Sequence, residues 1–121
     1  MILGRGELDG VRLIAPLTLD LMAANHIPGG RDIAEVSTPS MFSEAGYAGV
    51  GFGLGFGVST SVARTLMPGS AGDLFWGGMA STYFWIDPAQ DMAVVQMAQN
   101  MPSSLYPIRR ELRTLVYSAL V

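Results

Sequence analysis

The chain has 121 residues, half of them apolar and only 14% charged, with a formal net charge of −3. That length allows one domain with a real core, and so few charges leave little polar surface, so some apolar faces are expected to be covered by something else. The basic residues are all arginines, scattered except for Arg109, Arg110 and Arg113; they form no basic stripe, which excludes nucleic acid as an expected partner.

Met1-Ile2-Leu3 reads as the last turn of a helix whose beginning is missing, with a frayed terminus as the alternative. A turn-rich stretch from Gly4 to Gly10 leads into a short extended piece, Val11 to Ile14. Pro16 opens a helix carrying Leu17, Leu21 and Ala24, which stops near Asn25-His26 because Pro28-Gly29-Gly30 cannot continue it. From Ile27 to Gly46 the chain is polar and irregular, a loop of functional or mobile length.

Gly49, Gly51, Gly53, Gly55 and Gly57 then alternate with Val50, Phe52, Leu54, Phe56 and Val58. Period two predicts one strand with a bare glycine face against which another layer can sit closely. The G-x-G-x-x-G order of a phosphate loop is not matched. A turn cluster, Pro68 to Gly72, precedes the central stretch Asp73 to Pro88, which holds both tryptophans around Gly77-Gly78. It predicts one long kinked strand or two short ones, with the backbone approached closely at the glycine pair, by a substrate or by another layer. Asp87 to Asp91 is a turn, and Met92 to Ala98 a nearly continuous apolar strand of the sort buried on both faces, which pairs back as an antiparallel hairpin. Pro107 opens a last helix whose stripe Ile108, Leu112, Leu115, Val116, Ala119 and Leu120 is predicted to lie across the sheet, with Arg109, Arg110 and Arg113 on its solvated side.

Chemistry is sparse. Absence of cysteine removes disulfides, thiolate nucleophiles and zinc–sulfur sites; one histidine and dispersed carboxylates predict no metal and no cofactor. Nucleophilic catalysis needs a Ser or Thr beside a His or Lys, and the chain contains no lysine. His26 at a helix end reads as a capping residue; a complete small esterase using it is an alternative reading. Asp87 and Asp91 are explained by hairpin geometry. No apolar run reaches the roughly eighteen residues a membrane helix needs, and no signal peptide opens the chain, so it is expected to be soluble and cytoplasmic by default.

The order Gly6-Glu7-Leu8-Asp9-Gly10-Val11-Arg12-Leu13-Ile14-Ala15-Pro16, the Gly-x-Gly strand, Trp76-Gly77-Gly78 before Tyr83-Phe84-Trp85-Ile86-Asp87-Pro88, and the Tyr106-Pro107 helix together resemble the C-terminal part of class C β-lactamase-like serine hydrolases. Within these they are most similar to family VIII carboxylesterases, where Trp-Gly-Gly stands in place of Lys-Thr-Gly. The resemblance implies an α+β fold in which an antiparallel sheet with flanking helices packs against a helical region that bears a Ser-x-x-Lys nucleophile. Carried over, Trp76, Gly77 and Gly78 would line the pocket, and the backbone N–H of Met79 would be one of two oxyanion donors. With no lysine and no Tyr-x-Asn motif, no catalytic nucleophile is expected within these residues.

The expectation is therefore a single partial domain over residues 1–121: a helix, an antiparallel sheet of three or more strands and a closing C-terminal helix. It would supply half a pocket for a small ester or β-lactam, and its uncovered sheet face would drive homo-oligomerisation or pairing with a complementing N-terminal region. The alternative is a stand-alone, non-catalytic binding module.

Overall fold

The computed structural model describes residues 1–38 and 46–120. Its centre is a five-stranded antiparallel sheet in which every strand lies beside its neighbour in sequence: β3 (Val50–Phe52), β4 (Gly57–Ser59), β5 (Leu74–Gly77), β6 (Tyr83–Asp87) and β7 (Met92–Gln96). Ahead of it, β1 (Glu7–Leu8) and β2 (Val11–Arg12) form a separate hairpin across Asp9-Gly10, both at positive φ, as a tight two-residue turn demands. Residues Met1–Gly6 form a turn closed by two hydrogen bonds, Arg5 N–H to the Ile2 carbonyl and Gly6 N–H to the Met1 carbonyl, both 3.0 Å, with Arg5 left-handed at φ 54°.

The glycine alternation does not make one strand. It folds into the β3–β4 hairpin, registered Val50 on Ser59 and Phe52 on Gly57, with Gly55 at φ 101° in the turn. Period two persisted in the sequence, but a residue that tolerates positive φ let the chain reverse, leaving Leu54 half exposed at the tip. The expected close approach to the glycine face does occur. Helix α1 (Pro16–Ala23) ends against it: a Cβ on Gly53 would lie 2.2 Å from the Met22 carbonyl oxygen, and one on Gly51 would strike the Asn25 side chain. The Asn25 carboxamide oxygen accepts from Phe52 N–H, and Leu54 N–H donates to the Met22 carbonyl at 2.8 Å.

The segment expected as an irregular loop contains α2 (Ile33–Val36), begun by an Asp32/Glu35 capping box; its residues 39–45 lie outside those described. A short helix, α3 (Val62–Thr65), interrupts the β4–β5 connection. Of the two alternatives for the central stretch, two short strands is the observed one, and the β6–β7 hairpin pairs as expected, Trp85 on Val94 and Asp87 on Met92; β7, however, is an edge strand with Val95 68% exposed, not buried on both faces.

Val50, Phe75, Tyr83 and Trp85 form the core, closed by α4 (Ile108–Ser118) through Leu112, Val116 and Tyr117. Here the expected orientation of α4 is corrected. Leu115 is 69% exposed, whereas Arg113, placed on the solvated side, is 2% exposed. Its guanidinium donates to the Pro68 carbonyl at 2.7 Å, pairs with the buried Asp73 carboxylate, and lies over the rings of Trp85 and Tyr117 at 5.6 and 5.4 Å. A planar cation that stacks on aromatics and finds two oxygen acceptors is held inside, which apolar periodicity cannot reveal.

Candidate functional site

Strand β5 is the middle strand of the sheet, and its C-terminal end carries Trp76 and Gly77. Gly78 follows in the loop to β6. Trp76 packs its ring on Tyr47, with centroids 6.0 Å apart, and meets Phe52 edge-on at 4.8 Å. Aromatic neighbours on two sides fix the indole at the strand end.

The close approach expected at Gly77 is made by an arginine of the protein itself. A Cβ there would lie 2.9 Å from the guanidinium of Arg109, in the first turn of α4. Nη2 of Arg109 donates to the carbonyls of Gly78 at 2.5 Å and Thr82 at 3.2 Å, and the guanidinium lies 5.5 Å from the Tyr83 ring centroid. Arg109, expected in solvent, is thus directed under the loop.

The loop from Gly78 to Thr82 is held on both sides of Met79. Gly78 N–H donates to the Thr82 carbonyl at 2.9 Å and Ser81 N–H to the Gly78 carbonyl at 3.1 Å. Ser81 is 1% exposed with φ 70°, its hydroxyl donating to the Asn100 carbonyl at 2.7 Å while its own carbonyl accepts from the Gln96 amide. Asn100 N–H closes the clasp on Ala80. The carbonyls of Gly78, Ala80, Ser81 and Thr82 turn toward protein donors, while the N–H groups of Met79 and Ala80 make no hydrogen bond among the described residues. The Met79 side chain is half exposed.

The two sides of this strand end differ in room. Between the sheet and α4 a cavity of about 30 Å³ is bounded by Tyr47, Phe75, Trp76, Tyr83 and Arg109, space for one or two waters. Along Trp76, Gly78, Phe84, Val95 and Met97 an open groove of about 360 Å³ has the size of a small-molecule site.

Buried ionisable groups lie behind the site. Ser59 donates its hydroxyl to Asp73 at 2.6 Å, and Arg113 holds the other carboxylate oxygen. Burial pushes the Asp73 carboxyl above its ordinary value, against the pull of Arg113. Burial also raises the Tyr83 phenol to about 12, opposed by Arg113, and raises Tyr117, whose hydroxyl donates to Asp87 at 2.6 Å. Both phenols stay neutral at ordinary pH, Tyr117 donating to Asp87 and Tyr83 accepting from Arg113 Nη1, so neither supplies a base. Asp87 also caps its own turn, accepting from Ala89 and Gln90 N–H, which is the hairpin role expected of it. His26 sets Nε2 2.7 Å from the Leu21 carbonyl at the end of α1, a capping contact, and no hydroxyl among the described residues bonds to it. Among the described residues no cluster of His, Asp and Glu could hold a metal ion, and no helix is long and apolar enough to cross a membrane.

Trp76, Gly77, Gly78 and Met79 are therefore contiguous at one strand end. Sequence reasoning missed Arg109, Ser81 and Asn100, which hold that end from behind. Only Ser81 left a trace, among the small residues after the glycine pair.

No protein-family model matches the chain. It is similar to protein Rv1367c of Mycobacterium tuberculosis (strain ATCC 25618 / H37Rv) and to "Uncharacterized protein MT1414" of strain CDC 1551 / Oshkosh, each 30% identical over 105 residues. The match covers 84% of this chain and 25% of either relative, so the chain spans about a quarter of the length of the curated relatives it matches. Among solved structures it resembles EstCE1, a hydrolase with promiscuous acyltransferase activity (TM-score 0.68, 24% identity, 93% of this chain and 26% of that one). It also resembles simvastatin synthase (LovD) from Aspergillus terreus (TM-score 0.72, 22% identity, 97% and 31%). These likenesses establish the fold: an α+β chain with the antiparallel sheet of the C-terminal portion of the β-lactamase-like fold.

Proposed function

We propose that the chain is the oxyanion-side half of a serine acyl-transfer site of the family VIII carboxylesterase type, and that it carries no nucleophile of its own. The observation that supports this reading is the Met79 N–H: a backbone donor without a partner among the described residues, in a loop whose Gly78, Ala80, Ser81 and Thr82 carbonyls all accept from protein donors. Preorganised donors of this kind stabilise charge developing on a carbonyl oxygen without having to reorient. A serine hydroxyl from a complementing region would add to the ester carbonyl carbon, its proton passing to a base in that region. The carbonyl π pair would move onto oxygen, where Met79 N–H receives it. The groove bounded by Trp76, Phe84 and Met97 would accept the acyl or alcohol part of a small ester or β-lactam.

The test has two arms. The chain alone, treated with a fluorophosphonate, should keep its unmodified mass, and a stoichiometric adduct would overturn the absence of a nucleophile. EstCE1 carrying this chain in place of the segment it superposes on should take the label and hydrolyse p-nitrophenyl esters. Met79→Pro in that chimera, which deletes the N–H, should lower kcat by about 10²–10³. An unchanged kcat in a labelled, folded chimera would remove Met79 from the reaction.

A second reading, a self-associating module without chemistry, is favoured by Val95 and Met97, 68% and 83% exposed on and just after the edge strand β7. A discrete, concentration-independent dimer that gives no functional chimera would support it.

A further inference from the structure

The geometry points to Arg109 as a positioning residue that aims and polarises the Met79 N–H; this rests on the reading of Met79 as oxyanion donor. Gly78 and Met79 share one peptide group, and among the described residues the only cis bond is Met101-Pro102. In a trans peptide C=O and N–H point in opposite directions within one plane. Arg109 Nη2 grips the Gly78 oxygen from the α4 side of the sheet, so the Met79 N–H is directed away from α4, out of the packed layer.

Three features indicate that this grip is specific. First, Gly77 is the residue that leaves room for it, since a Cβ would collide with the guanidinium. Second, a cation in the first turn of a helix sits at the positive end of the peptide dipoles, so α4 gains nothing from an arginine there. Carbonyl acceptors make the position favourable, and the two that Nη2 reaches among the described residues belong to the loop: Gly78 and Thr82. Third, the Gly78 oxygen already accepts from Ser81 N–H, a bond that sets the shape of the turn. Arg109 adds what that bond lacks, a tether from the loop to α4 and a full positive charge at the carbonyl end of the peptide. Charge on the acceptor side draws electron density toward oxygen and makes the N–H at the other end a stronger donor.

The experiment uses the isotope-labelled chain and nuclear magnetic resonance. In the wild type the Met79 N–H vector should be as rigid as the strands, with an order parameter near 0.85, and a through-hydrogen-bond correlation should link the Arg109 guanidinium to the Gly78 carbonyl carbon. Arg109→Ala should lower the Met79 order parameter toward about 0.6 and shift the Gly78 carbonyl resonance upfield, leaving the β6 and β7 amides in place. Arg109→Lys should restore part of both. An arginine that merely stabilises the fold would lower the urea midpoint and leave the Met79 vector and the Gly78 resonance untouched; that result overturns the proposal. Should Arg109→Ala not fold, absence of the wild-type correlation to Gly78 overturns it equally. These readouts are independent of catalysis, so failure of Met79 as an oxyanion donor appears separately, as an unchanged kcat of the Met79→Pro chimera.

Discussion

Replacing Arg113 by methionine tests the electrostatics of the core most directly. The substitution keeps much of the aliphatic stem and removes the guanidinium, which holds Asp73, the Pro68 carbonyl and three aromatic faces. Both partners of the ion pair are almost wholly buried. Breaking such a pair from one side costs about 3–5 kcal/mol, because the other charge remains without compensation, and that is a large part of the total stability of a domain of this size. The loss should depend on pH. Burial already raises the Asp73 carboxyl above the ordinary 3.8, and removal of the cation raises it further. Below that ordinary value both folded and unfolded states are protonated and the shift contributes nothing. Above it the unfolded chain ionises first, so stability falls with rising pH, more steeply in the variant than in the wild type. The destabilisation is therefore expected to be near the full amount at pH 7 and clearly smaller at pH 4. Urea unfolding followed by the emission of Trp85, which is fully buried, measures both. Asp73→Asn completes a cycle in which the double variant should be less destabilised than the sum of the singles. A loss independent of pH, or strict additivity, would refute the assignment.

Two further outcomes follow from the same packing. Tyr83 is raised to about 12 by burial, so its neutral form belongs to the fold. The stability this represents is complete below pH 10 and is lost as pH climbs through 12, about 3 kcal/mol in all; stability curves between pH 9 and 12 should show the decline, and Tyr83→Phe should flatten it. Gly77→Val would drive its side chain into the Arg109 guanidinium and the Thr82 carbonyl, and thermal unfolding should register roughly 1–3 kcal/mol of destabilisation; a neutral result would mean that the guanidinium is not held there.

Much of the sheet could be read from the chain because its turns are written in residue types. Asp9-Gly10, the Gly77-Gly78 pair and the Asp87 to Asp91 turn lie where strands end. Glycine misled once, between Val50 and Val58, where the same residue type serves both a pleated strand and the left-handed reversal inside it, and period alone does not separate the two. The site strand was legible as Trp76-Gly77-Gly78, but its support was not. Arg109 and Arg113 read as solvated because charge usually is, and their acceptors are backbone carbonyls of Pro68, Gly78 and Thr82, which carry no sequence signal. The stripe Leu115, Ala119 and Leu120 was equally persuasive and is exposed, because the pairing of Arg113 with Asp73 decides which side of α4 meets the sheet.

The strictly sequential strand order has a consequence for how the chain closes on itself. Each ladder joins strands adjacent along the chain, whereas the bonds that anchor α4 span 31 residues from Arg109 to Gly78, 40 from Arg113 to Asp73 and 45 from Arg113 to Pro68. Loop-closure entropy grows by about 0.6 kcal/mol for each doubling of the enclosed segment. The helix therefore carries a larger entropic cost of closure than any hairpin of the sheet. Its two arginines offset that cost at the Gly78 loop and at Asp73, on either side of the strand that presents Trp76.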